Sequence, residues 1–129
     1  MLKYIELKSG YTDDGPAWIG TVKQSKSGRT IYFNGKALGR GNGVSGNHYD
    51  VETGEEYWVS NVKKNGEDRH WAGKGKIEIE SAVVNVYLEQ IGKTELSKSK
   101  YKVVEAFLET DISKFEEVQN EQLKREPAS

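Results

Sequence analysis

Apolar and polar positions alternate from the start of the chain. In Leu2 to Lys8 (LKYIELK), Leu2 and Tyr4 stand against Ile5 and Leu7, which predicts a strand. Thr12, Asp13, Asp14, Gly15 and Pro16 then reverse the backbone. Ala17 to Lys23 reads as a second strand, with Trp18 and Val22 on one face and Ile19 on the other, so both faces are covered. Arg29 to Phe33 (RTIYF) is rich in β-branched and aromatic residues, and the Asn34-Gly35 pair that follows predicts a type I′ hairpin into Lys36 to Leu38.

Gly39 to Gly46 carries too many glycines for a helix. Its backbone amides beside Arg40 offer an anion-binding nest, although no Gly-Lys-Ser/Thr closes it as a Walker loop would. A second hairpin follows, Asn47 to Glu52 and Glu55 to Val62, joined by Thr53 and Gly54. Alternation puts His48 and Asp50 on one side and Tyr49 and Val51 on the other; in the return strand Tyr57 and Val59 oppose Trp58, Ser60 and Val62. After a Lys63-Lys64-Asn65-Gly66 turn and the polar run through Trp71, Lys76 to Glu80 predicts another strand.

The period then changes. Val83, Val84, Tyr87, Leu88 and Ile91 recur at helical spacing, and Gly92 stands where a helix C-terminus favours positive φ. Tyr101 to Leu108 reads as a strand covered on both faces. Asp111 is placed to cap a second, weaker helix with Ile112, Phe115 and Val118 along one side. The expectation is one α+β domain over residues 1–119, with a polar, frayed tail over 120–129. Its sheet is a strongly bent antiparallel one, or a small open β-barrel, of about six or seven strands, with one packed helix and a weaker terminal one.

Length and composition agree with that expectation. A chain of 129 residues with 35% hydrophobic content suits a single core. The absence of cysteine removes disulfides, thiolate zinc sites and cysteine nucleophiles, and points to a cytoplasmic setting. No apolar run has signal-peptide or membrane-spanning length, so no membrane association is expected.

The net charge of -1 hides a separation. Between Gly20 and Ser45 every charge is positive: Lys23, Lys26, Arg29, Lys36 and Arg40. From Glu105 onward acids dominate, with Glu105, Glu109, Asp111, Glu116 and Glu117 leading. Such asymmetry fits a basic face for an anionic partner, or an acidic end that folds over that face.

The candidate chemistry concentrates between Gly46 and Glu80. Arg40, Lys63, Lys64, Arg69, His70 and Trp71 form the expected ligand-binding set: cations for phosphate or carboxylate and an indole as a flat platform. Trp18 and Trp58 are further candidates for stacking a base. His48, Asp50, Asp68 and His70, with Glu56 as an alternative carboxylate, are the candidates for general acid/base work. No ligand pair has helical metal-site spacing, so neither a metal nor a cofactor is expected.

The run YDVETGEEYWVSNVKKNGEDRHWAGKGKIEIE, with AWIGTVKQSKSGRTIYFNGKAL upstream, resembles a family of small bacterial proteins that brings no catalytic residues to carry over. Proteins of this appearance have borne a deoxyxylulose-phosphate synthase label. A thiamine-diphosphate enzyme needs a Gly-Asp-Gly metal-diphosphate motif and domains to enclose the cofactor, and this sequence supplies neither.

Three functions remain open on sequence alone. The first is a binding or accessory module for an anionic partner, nucleic acid foremost. The second is a small hydrolase-like enzyme with a histidine acid/base. The third is an antitoxin- or inhibitor-like protein that docks through its acidic C-terminal region.

Overall fold

Strand-forming residues separated by tight turns build most of the molecule. The computed structural model describes residues 2–11, 14–69, 73 and 75–116. The strands are β1 (Leu2–Leu7), β2 (Ala17–Thr21), β3 (Lys23–Gln24), β4 (Thr30–Phe33), β5 (Lys36–Arg40), β6 (His48–Asp50), β7 (Glu56–Asn61), β8 (Ile77–Glu80) and β9 (Tyr101–Val104). One helix, α1 (Val84–Ile91), follows a 3-10 turn over Ser81–Val83. It ends at Gly92 in the left-handed region, and its Tyr87 and Ile91 are buried. Residues 112–116 are helical, with Phe115 buried. Val118 and the tail over 120–129 lie outside the described residues. Among the described residues no helix is long and apolar enough to cross a membrane.

The strands form one sheet in the order β3-β4-β5-β6-β7-β1-β2-β8-β9. Nine strands replace the six or seven expected. The sheet is also not wholly antiparallel, because β8 runs parallel to both β2 and β9. Two causes account for the difference. Val22 alone separates β2 from β3, so what reads as one strand is a bent run that pairs with β1 through one half and with β4 through the other. The parallel pairs, in turn, join segments distant in sequence through crossovers that leave no local pattern.

Because that bent run appears both at the start of the order and beside β1, the sheet curls strongly into an open half-barrel. Ile5, Ile31, Phe33, Leu38, Tyr57 and Val59 fill its concave side, with Trp18 and Phe107 packed against them. On the convex side, Leu2, Tyr4, Ile19, Ile77 and Ile79 are covered by Tyr87 and Ile91 of the helix and by Tyr101. Strand β1 therefore lies between two apolar layers. At the far end of the convex side, Phe115 seals Tyr32 and Ala37.

Residues 105–116 reach that position as a strap. The Phe107 amide donates to Glu80 Oε2, and the ring packs edge-on to Phe33 at 5.2 Å between centroids. Farther along, the Leu108 amide donates to Asn34 Oδ1 and the Thr110 hydroxyl to the Lys36 carbonyl. Those acceptors sit on the β4–β5 turn, where φ is 50° at Asn34 and 78° at Gly35, the two left-handed positions that a type I′ turn requires.

Candidate functional site

The convex face of β1 carries a polar row. Alternation turns Tyr4, Glu6 and Lys8 to the same side, and antiparallel pairing sets Trp58 of β7 directly opposite Glu6. Glu6 is only 2% exposed although it stands in the middle of the sheet. Its carboxylate accepts a short hydrogen bond from the Tyr4 hydroxyl and, at 2.7 Å, an ion pair from Lys8 Nζ. A buried charge is tolerated when paired and hydrogen-bonded in this way. Burial and the adjacent Glu6 together push the Tyr4 hydroxyl far above its ordinary range, so it stays a donor at all working pH values.

The chain between β7 and β8 passes over this row and makes a roof. A turn at Lys63 to Gly66 starts it, with the Gly66 amide on the Lys63 carbonyl. Asp68 Oδ1 then accepts from the Lys63 amide at 2.9 Å, and the Arg69 guanidinium donates to the Gly15 carbonyl at 2.8 Å, tying the roof to the lead-in of β2. Asp68 Oδ2 is buried and has no hydrogen-bond partner among the described residues. Burial accordingly raises the Asp68 pKa, against the opposing pull of the Lys63 amide and ammonium. Beneath lie Tyr87 and Tyr101, hydroxyl to hydroxyl at 2.6 Å, with Tyr101 also donating to the Gly66 carbonyl.

Between row and roof lies a cavity of about 670 Å3, within the size range of small-molecule sites. Lys8, Lys63, Arg69 and Lys100 bring positive charge to its lining, Glu6, Glu67 and Asp68 bring negative charge, and Trp58 brings an indole that is 41% exposed. Lys8 is engaged by Glu6. Among the described lining residues, four cations stand against three carboxylates. A smaller cavity of about 220 Å3 lies under the strap beside Phe33 and Phe107 and holds no comparable set of charges.

The residues expected from sequence divide accordingly. Lys63 and Arg69 line the cavity, and so does Asp68. Arg40 lies across from His48 at the end of β5, and Lys64 is exposed on the turn beside Lys63; neither lines it. His70 and Trp71 lie outside the described residues. Of the other indoles, Trp18 packs on the concave side, 5.9 Å from Phe33 and 6.4 Å from Tyr57 between centroids.

His48 and Asp50 do share a side, but it is the buried one. Asp50 Oδ1 accepts the amides of Glu52 and Thr53, capping the turn that joins β6 to β7. Asn47 Oδ1 already accepts the Val59 amide while its Nδ2 donates to the Val59 carbonyl, so the 3.0 Å contact from His48 Nδ1 requires the proton on that nitrogen. Burial first, then the Arg40 and Lys3 charges, lower the His48 pKa and keep the ring neutral. Glu56 has a separate task. Its Oε1 accepts the Ser45 and Gly46 amides at 3.2 and 3.3 Å, so the glycine-rich nest holds an internal carboxylate.

Tyr4, Glu6, Lys8, Lys100 and Tyr101 are among the lining residues that sequence reasoning did not select. For three of them a signal exists: in LKYIELK, Tyr4, Glu6 and Lys8 fall two apart on one face, a carboxylate with its own hydroxyl and ammonium on either side.

No family model, curated protein or solved structure matches the chain.

Proposed function

We propose that the protein is a small binding module that takes a phosphate-bearing, ring-bearing ligand, of the nucleotide type, in the groove between β1–β7 and its roof. One observation carries the reading: the groove unites an exposed indole, Trp58, with three cations, Lys63 and Arg69 from the β7–β8 connection and Lys100 from the lead-in to β9. Indoles stack bases in a sequence-tolerant way, while lysine and arginine hold phosphate. The negative charge of Glu6 does not oppose such a ligand, because Lys8 and Tyr4 already engage it.

The test is titration with thymidine monophosphate followed by protein NMR and Trp58 fluorescence, with Trp58→Phe assigning the optical signal. Binding is expected to weaken with added salt. Lys63→Ala with Lys100→Ala is expected to weaken binding and to flatten its dependence on salt, since fewer charges on the protein are left to be screened. Salt-insensitive binding, or binding unaffected by the double substitution, refutes the reading.

A further inference from the structure

The convex face of the sheet is covered at both ends. Phe115 covers β4 and β5 on one flank, and the helix with Tyr101 covers β1, β2 and β8 on the other. Between them stand Tyr49 of β6, 42% exposed, and Trp58 of β7, which lines the roofed groove and is 41% exposed. Two large aromatics left to solvent side by side are informative where single ones are not.

The Tyr49 ring lies across the backbone of β5. A Cβ at Gly39 would stand 2.9 Å from its Cζ, and one at Gly41 3.0 Å from its Cδ1, so only glycine at these two positions lets the ring rest there. One ring face is bedded on the strand and the other is left outward. Tyr49 pairs with Glu56 across the ladder, which makes Trp58, two residues on, its diagonal neighbour at about 7–8 Å between backbones. The carboxylate between the two rings is Glu56, and the Ser45 and Gly46 amides hold it toward the glycine loop.

We infer that Tyr49 is a second stacking position continuous with the groove, so that the ligand is a chain of at least two ring-bearing units, single-stranded nucleic acid, with phosphates at the groove cations and successive bases on Trp58 and Tyr49. This rests on the nucleotide reading of the groove and extends it from one unit to a strand. An uncharged polysaccharide would also stack on such rings, but Lys63, Arg69 and Lys100 at one end of the track match a polyanionic backbone.

The experiment compares thymidine monophosphate, the oligonucleotide (dT)6 and the neutral sugar maltohexaose on the wild-type protein and on Tyr49→Ala, Tyr49→Phe and Gly39→Ala. Tyr49→Ala is expected to weaken (dT)6 about tenfold and leave the monophosphate unchanged. Tyr49→Phe should keep the wild-type affinity, because the ring face and not the hydroxyl is used. Gly39→Ala should reproduce the loss by lifting the ring from its bed. If (dT)6 binds Tyr49→Ala as tightly as wild type while the monophosphate still binds the groove, the strand inference is overturned and the groove reading stands. If neither nucleotide probe binds the wild type, both are overturned. Maltohexaose binding that depends on Tyr49, without (dT)6 binding, overturns nucleic acid as the partner.

Discussion

Replacing Phe115 by alanine tests whether the strap is structure or a free recognition surface. The ring is 4% exposed and packs on Tyr32 and Ala37 with Ile112 beside it, while the Lys114 ammonium stands 5.2 Å from its centroid. Returning a buried phenylalanine to water costs about 1.5–3 kcal/mol, and the unfilled space adds to this, for about 3–5 kcal/mol in full cores. Phe115 has sheet on one side only, so the strap can settle into the gap, and the lower figure of about 3 kcal/mol applies. For a domain of this size that lowers the melting temperature by about 10 °C. Circular dichroism melts at neutral pH measure it. Burial also raises the Tyr32 pKa, and that shift should shrink in the variant, as read by ultraviolet titration. A melting temperature within about 2 °C of wild type, both for Phe115→Ala and for truncation after Thr110, would refute the packing argument. It would return the acidic segment to the candidates for a partner-docking surface.

Three further outcomes follow from buried polar groups. Burial raises Asp68 above its ordinary 3.8, so the fold is favoured at acid pH and loses stability as pH rises through the folded pKa. Asp68→Asn should abolish that loss and gain about 1 kcal/mol at pH 7 in urea unfolding. His48 has the opposite sign. Its pKa is lowered from 6.5, so its contribution is present above that value and is lost as pH falls through the folded pKa, a slope that His48→Gln should remove from the same series. Tyr87→Phe deletes the 2.6 Å bond to the Tyr101 hydroxyl, which keeps its Gly66 acceptor. The expected cost is about 1 kcal/mol, and a neutral result in denaturant titration would show that Tyr101 alone holds the roof.

Local features of the fold were legible in the sequence and long-range ones were not. Asn34-Gly35 predicted a turn whose two left-handed residues are observed, and the stripe from Val83 to Ile91 predicted the helix and its buried face. In both cases adjacent residues decide the structure. The parallel placement of β8 between β2 and β9 depends on crossovers that no local periodicity records. Alternation put His48 and Asp50 together but could not say which side is interior. Their burial follows from the curl of the sheet and from a turn that uses Asp50 as its cap. Lys63, Asp68 and Arg69 were recognised by charge within one run. Lys100 reaches the groove only because β9 docks beside β8, and Glu6 passed as an ordinary strand residue until the roof came down over it.

The strap has a bearing on synthesis. A chain emerging from the ribosome N-terminus first delivers all nine strands before Phe107 and Phe115, the residues that seal Phe33 and Tyr32. Until then the nascent half-barrel displays aromatic surface to its surroundings. Its maturation therefore hinges on a segment that follows every strand, and a product stalled or released before it would be the species that chaperones and proteases encounter.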